Sequence, residues 1–282
     1  MNLKTENMSY KADISILGCG WLGLPLAEAL VNSGKRIKGS TTSPAKLDLL
    51  EQQGMTPYLI NLQAETLDTE TLADFLNVDV LVINIPPKLR ADGGATYLDQ
   101  LHLLLKALLH APVKKVLFVS STSVYKDLNR VVTEEDTELT NAKDPGYTLL
   151  QAEKLFQERE EWLTTIVRFA GLVGEDRSPG RFMAGKTDVP NGDAPVNLIH
   201  RDDCVAILMR IIEQEKWNEV YNACSDEHPM RKDFYPAAAI ALELEPPTFK
   251  EMDETHFKLI SSQKLKDDLP YVFRHPNPMH FF

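Results

Sequence analysis

Ile14-Ser-Ile-Leu-Gly18-Cys-Gly20-Trp-Leu-Gly23-Leu-Pro-Leu-Ala27 joins a short apolar run to a G-x-G-x-x-G turn, and an apolar pattern of helical period follows at once. That order suits the pyrophosphate of a dinucleotide. Gly18 permits the tight turn, Gly20 lets the backbone approach the phosphates, and Gly23 lets the helix pack close to the strand. The free N–H groups and positive dipole end of the new helix, from Leu22 onward, then face the anion. Trp21, inside the turn, either covers the ligand or wedges the first helix. Cys19 is read as small rather than reactive.

Outward from this turn the first half alternates strands and helices, the pattern of a parallel sheet. Strands are expected at 13–17, 36–39, 56–61, 78–85, 115–120 and 164–169. The run 78–85 is almost wholly apolar, as a strand covered on both faces should be. Helices are expected at 22–32, 44–53, 96–110 and 148–160. Ser43 is placed to cap the second before Pro44. In the third, Leu98, Leu101, Leu105 and Leu108 share one face. The fold class is therefore α/β, a Rossmann-type doubly wound parallel sheet. The dinucleotide-binding unit is assigned to 12–170, after a polar tail at 1–11. Residues 171–282 complete the sheet and add a small, irregular substrate lobe packed with it as one unit. That lobe is marked by Pro229, Pro236, Pro246, Pro247, Pro270, Pro276 and Pro278.

The 282 residues are 43% hydrophobic and carry a formal net charge of −11, with no basic stripe. Nucleic acid and anionic membranes are unfavourable partners for such a surface. No apolar run approaches the roughly 20 residues of a membrane span. The first eleven residues lack a signal-peptide core. Cys19, Cys204 and Cys224 form no disulfide framework or metal spacing, which points to a reducing cytoplasm. The histidines show no metal-ligand set in sequence, so no metal is expected.

Strand two ends Lys38-Gly39-Ser40-Thr41-Thr42-Ser43, followed by Lys46, without the carboxylate that holds the ribose of NAD. Ser40, Thr41, Thr42 and Lys46 could instead receive a 2′-phosphate, which favours NADP(H) and leaves NAD(H) open. Asn61 and Leu62 should border the adenine. Ile85, Pro86 and Pro87 should line the path toward the nicotinamide, with Ser120 beside them.

From strand five onward the chain resembles the extended short-chain dehydrogenase/reductases, the family of the NAD-dependent epimerases and dehydratases. The resemblance rests on Phe118-Val-Ser-Ser121-Thr-Ser-Val-Tyr125, Arg168-Phe-Ala-Gly-Leu-Val-Gly174, Asn197-Leu-Ile-His200-Arg-Asp-Asp203 and Val220-Tyr-Asn-Ala-Cys-Ser-Asp226. It implies a serine that holds the substrate oxygen, here Ser121. It also implies a Tyr-x-x-x-Lys pair in which the lysine lowers the tyrosine pKa. That pair is missing. Tyr147 is followed four residues later by Gln151, and the alternative register puts Pro145 and Leu149 at the two positions. A free tyrosine titrates near pH 10, so only about one in a thousand is ionised at pH 7. Without the cation it is a poor base, though it can still donate a proton in the reductive direction. The departure points to the atypical branch of the family.

The expected function is hydride transfer to or from a small carbonyl, alcohol or sugar-like substrate, with Ser121 and Tyr147 as catalytic candidates. Lys88, Arg177, Arg181 and His200 are candidate substrate contacts. His200 is also read, with Asp202 or Asp203, as the cap of a helix beginning near Cys204. The alternatives are a nucleotide-sugar epimerase or dehydratase, and a non-catalytic NADP(H)-binding redox sensor. Fold analogy suggests a homodimer through the helices around 96–110 and 148–160.

Overall fold

The structure is a computed structural model, and it describes residues 12–87, 94–137, 144 and 146–282. Seven parallel strands form the central sheet: β1 (Ile14–Leu17), β2 (Ile37–Thr41), β3 (Thr56–Leu59), β4 (Val80–Ile83), β5 (Lys115–Ser121), β7 (Leu163–Phe169) and β10 (Val220–Ala223). Their spatial order is β10-β7-β5-β4-β1-β2-β3. The winding reverses between β1 and β4, which pair in register from Ile14↔Val80 to Leu17↔Ile83. A crevice at the carboxyl ends of these two strands is where ligands sit in such sheets. Every residue of β1 and β4 is buried. Helices on both faces remove them from water, and the apolar character of these strands follows from that double covering.

Helices α1 (Gly23–Asn32), α2 (Leu47–Gln52), α3 (Thr69–Phe75), α4 (Ala95–Leu108) and α5 (Tyr147–Gln157) connect the strands. The sequence reading passes over α3, a helix of two turns in a polar stretch. Its signal is Asp68, whose carboxylate accepts from the N–H groups of Glu70 and Thr71. Helix α4 buries Tyr97, Leu101, Leu104, Leu105 and Leu108 against the sheet. Helix α5 buries Leu149, Leu150, Ala152, Glu153 and Phe156. The two lie side by side.

Beyond β7 the chain makes β8 (Gly171–Val173), α6 (Gly180–Met183), β9 (Leu198–His200), α7 (Arg201–Glu213), α8 (Arg231–Ile240) and α9 (Gln263–Asp268). β8 and β9 form a separate parallel pair that ends with Val173 opposite His200. β6 (Val131–Val132) pairs with β11 (Leu259–Ile260) in the same way. A second, smaller core of Val173, Val196, Leu198 and Phe234 lies outside the main one. Helix α7 returns to pack on α1, and β10 closes the edge of the sheet beside β7. Among the described residues, no helix is long and apolar enough to cross a membrane.

Candidate active site

The glycine turn shows three glycines kept for three different reasons. Gly18 has a φ of +101°, and a Cβ there would lie 2.5 Å from the Asn84 carbonyl oxygen. A Cβ on Gly23 would run into the Gly18 carbonyl and the Asn84 side chain. Both are therefore demanded by packing within the protein. A Cβ on Gly20 would meet nothing within 4 Å. Among the described residues no protein atom requires glycine at this position, and the space in front of it leaves the backbone open to a ligand.

Two neighbouring strands pin the turn. The Gly18 N–H donates to Ser40 Oγ at 3.0 Å, and the Cys19 N–H to the Ser40 carbonyl at 2.8 Å. Asn84, just past β4, donates from Nδ2 to the Gly18 carbonyl at 3.0 Å. The sequence reading missed Asn84. Its signal is a polar residue breaking the apolar run Val80-Leu-Val-Ile at the carboxyl end of a central strand. Cys19 is buried, and desolvation pushes its thiol up to about 12, which keeps it protonated and unreactive.

The groups at the end of β2 differ in exposure. Ser40 is buried, and its hydroxyl oxygen accepts from the turn and ties β2 to it. Thr41 is also buried, and its Oγ1 accepts from the Ser43 N–H at 3.1 Å. Ser43 makes no side-chain cap on the short 3-10 turn Pro44–Lys46 that precedes α2. Its N–H is held by Thr41 instead. Thr42 and Lys46 are exposed, and Lys46 has no ion-pair partner among the described residues. Asn61 is exposed beyond β3 and donates to Gln63, whereas Leu62 is buried. Ile85 and Pro87 are half-buried and Pro86 is exposed beyond β4. Lys88 lies outside the described residues.

At the carboxyl end of β5 the side chains divide into a rigid frame and a more open pair. Ser120 donates to Glu153 Oε1 at 2.6 Å. Glu153, fully buried on α5, takes a forked pair of hydrogen bonds from Arg168 of β7, at 3.0 Å from Nε and 2.6 Å from Nη2. Arg168 Nη1 donates to the Tyr125 hydroxyl, which in turn donates to Asn222 Oδ1, both at 2.7 Å. Burial pushes the Tyr125 phenol up to about 12 against the pull of Arg168. Tyr125 thus belongs to this frame. So does Ser120, whose hydroxyl is committed to Glu153 rather than standing free beside a cofactor.

Ser121 is only half-buried, and its Oγ accepts from the Ser123 N–H at 3.2 Å, capping the turn Thr122–Val124. Its proton remains available to a substrate oxygen. Tyr147 opens α5 and is half-buried. Gly146, just before it, sits so tightly against Ser123 and Val124 that a Cβ would strike their backbone. The start of α5 is therefore seated on the β5 turn. Gln151, four residues after Tyr147, is uncharged, and Leu149, the lysine position of the alternative register, is buried and apolar.

The segment after β8 folds over the glycine turn. Trp21 Nε1 donates to Asp176. The guanidinium carbons of Arg177 and Arg201 lie 5.5 and 5.3 Å from the Trp21 ring centroid. Arg201 also pairs with Glu175 at 3.3 Å. A Cβ on Gly174 would stand 2.9 Å from the Trp21 ring, so glycine is needed for this approach. Of the two loop arginines singled out in the sequence, Arg177 is brought to the turn. Arg181, on α6, is exposed and does not join it. Arg201 was missed, although it follows His200 directly.

Helix α7 begins at Arg201, three residues earlier than expected, because His200 itself is the cap. Its Nδ1 accepts from the Asp202 N–H at 3.3 Å. Burial, reinforced by neighbouring His275, holds the His200 pKa below the ordinary histidine value. Asp203 turns inward and accepts from the Tyr271 hydroxyl and the N–H groups of Arg274 and His275.

With this geometry in hand, the relatives can be placed. No protein-family model matches the chain. Protein YeeZ of Escherichia coli K-12 is 34% identical over 275 residues, spanning 94% of this chain and 97% of its own. The chain belongs to the family of this protein. Its fold is that of NAD-dependent epimerase/dehydratase and short-chain dehydrogenase/reductase proteins. A Methylobacillus flagellatus protein, provisionally named an NAD-dependent epimerase/dehydratase, is 25% identical with a TM-score of 0.69 over 96% of each chain. UDP-glucuronic acid 4-epimerase of Bacillus cereus, solved with UDP-glucuronic acid and NAD, shares the fold. It has a TM-score of 0.74 at 20% identity, over 95% of this chain and 96% of its own.

Proposed function

We propose that the protein binds a nicotinamide dinucleotide across the β1–α1 turn and transfers hydride to or from a small carbonyl, alcohol or sugar-like substrate. The observation that carries this reading is Gly20, a glycine that no contact among the described residues requires, set between two that packing does require. NAD-bound relatives of the same fold, among them a UDP-sugar epimerase, support it. When bound, the nicotinamide ring supplies or accepts the hydride. The chain's part is to hold the pyrophosphate on the helix N-terminus, shield it with Trp21, and orient the substrate oxygen. Ser121 donates to that oxygen, and Tyr147 or water delivers the proton. Thr42 and Lys46, exposed at the end of β2, are the groups best placed to favour a 2′-phosphate, and hence NADP(H), while Ser40 and Thr41 are buried. Three buried, unpaired thiols suit a reducing cytoplasm. We assign 12–170 to dinucleotide binding and 171–282 to sheet completion and substrate, with α4 and α5 as the surface for a homodimer.

A second reading is favoured by one absence. Neither Gln151, four residues after Tyr147, nor Leu149, buried at the lysine position of the alternative register, supplies the cation that activates the tyrosine. A protein that binds the cofactor and reports its redox state without turnover would have this composition. Initial oxidation of a sugar hydroxyl needs the base most, so the epimerase or dehydratase chemistry is disfavoured relative to reduction.

Titration of the purified protein with NADPH and NADH, followed by Trp21 fluorescence against a Trp21→Phe control, tests both readings. Tenfold preference for NADPH, about 1.4 kcal/mol, is the expected result. Equal or tighter NADH binding would remove the phosphate argument, and binding of neither would remove the function. A carbonyl screen with the preferred cofactor then separates the enzyme from the sensor.

A further inference from the structure

His200 and His275 are 75 positions apart in the chain, yet their ring centroids lie 3.9 Å apart. Asp202 reaches both rings. Its Oδ2 is 3.6 Å from His200 Nδ1 and 3.6 Å from His275 Nε2. Donor atoms of the three residues all fall within 4.8 Å of one another. A tetrahedral ion with bonds of about 2.0–2.1 Å sets its ligands about 3.3 Å apart. The two measured edges need to close by only a few tenths of an ångström.

We propose that His200, Asp202 and His275 form a binding site for one divalent transition-metal ion, of which Zn²⁺ suits the donors best. Two imidazoles and a carboxylate are a borderline-soft set that favours zinc over calcium or magnesium. Three protein ligands leave a fourth position to water.

The surroundings hold the ligands in place. His275 hangs on a segment clamped by Asp203, whose carboxylate takes the N–H groups of Arg274 at 2.7 Å and His275 at 3.0 Å. The same carboxylate takes the Tyr271 hydroxyl at 2.6 Å. His200 is fixed by its place between β9 and α7, and Asp202 by the first turn of α7. Such outer contacts orient metal ligands. The Phe281 ring walls one side, with its centroid 5.6 Å from that of His200 and 6.3 Å from that of His275. The present interaction of His200 Nδ1 is a long cap bond of 3.3 Å, and a metal would take over the same lone pair. A bound ion would tie the C-terminal segment 271–282 to the start of α7. Arg201, the next residue after His200, touches Trp21 of the glycine turn. The site thus lies one residue from the cofactor cradle but does not depend on the cofactor reading.

The test uses full-length, tag-free protein stripped with chelator and titrated with ZnCl2 by calorimetry, without cofactor. One equivalent should bind with a Kd of micromolar order or tighter and raise Tm. His200→Asn keeps a capping oxygen but removes the imidazole, and His275→Gln removes the second. Each should weaken binding at least tenfold and abolish the Tm rise, whereas His110→Gln should leave both unchanged. Should a variant fold poorly, Co²⁺ added to the wild-type chain reads the site directly. Intense visible d–d bands of a four-coordinate ion support the proposal, and the weak spectrum of hydrated Co²⁺ overturns it. Zinc binding no tighter than about 100 μM, or unchanged in both variants, also overturns it.

Discussion

The two ends of the proposed cleft are built differently. The β1–α1 turn is made almost wholly of backbone, with glycines that admit a positive φ, a close helix and an approaching ligand. The β5–α5 end is made of side chains: it lacks the Tyr-x-x-x-Lys pair and holds a buried frame of Ser120, Glu153, Arg168, Tyr125 and Asn222. The difference teaches that binding geometry and reaction chemistry are separable in this fold. A backbone cradle tolerates side-chain drift around it, whereas proton transfer depends on particular groups and their pKa values.

The strongest way to break this comparison is at the frame. Arg168→Met leaves Glu153 buried without its cation and should cost about 3–5 kcal/mol in chemical denaturation. A loss below about 1 kcal/mol would show that the frame does not hold α5 on the sheet. The cradle comes next. Gly18→Ala forces a side chain onto a left-handed backbone against Asn84, at about 1–3 kcal/mol of stability. Gly20→Val should change stability by less than about 0.5 kcal/mol, yet weaken dinucleotide affinity at least tenfold. Equal losses of stability at both glycines would erase the distinction between packing and ligand demand. If the chain turns over a carbonyl, Tyr147→Phe should lower kcat by about 10²-fold or more. An unaltered kcat would assign the proton to water and make the chemistry end poorer still.

The smallest effect lies away from both ends. His228 is half-buried against the Val196 carbonyl, and its partial desolvation lowers its pKa. The folded chain therefore holds fewer protons there than the unfolded chain. Its contribution is fully present above about pH 6.5 and is lost as pH falls through the window below it, by up to about 1.4 kcal/mol per pH unit. His228→Gln should flatten that part of the stability–pH profile. An unchanged slope would assign acid sensitivity to other groups.

Much of the fold was legible because hydrophobic period and glycine placement are local. The run Val80–Ile83 reads as a strand covered on both faces, and the leucines of α4 read as one face of a helix. Element ends were less legible. His200 caps α7 as the sequence suggests, but the helix starts at Arg201 rather than near Cys204, and Asp203 takes no part in the cap because Tyr271, Arg274 and His275 draw it inward. Sequence shows that Ser40 carries a hydroxyl but not which N–H it faces.

By itself, then, the sequence determined the parallel α/β architecture, the glycine turn and the loss of Tyr-x-x-x-Lys, since each is a matter of residue type at short spacing. Only the tertiary structure decided that Gly20 faces open space, that Asn84 locks the turn, that Arg177 and Arg201 meet Trp21, and that His200 meets His275. Each of those depends on which distant segments the folded sheet brings within a few ångströms, and no local pattern in the chain encodes that distance.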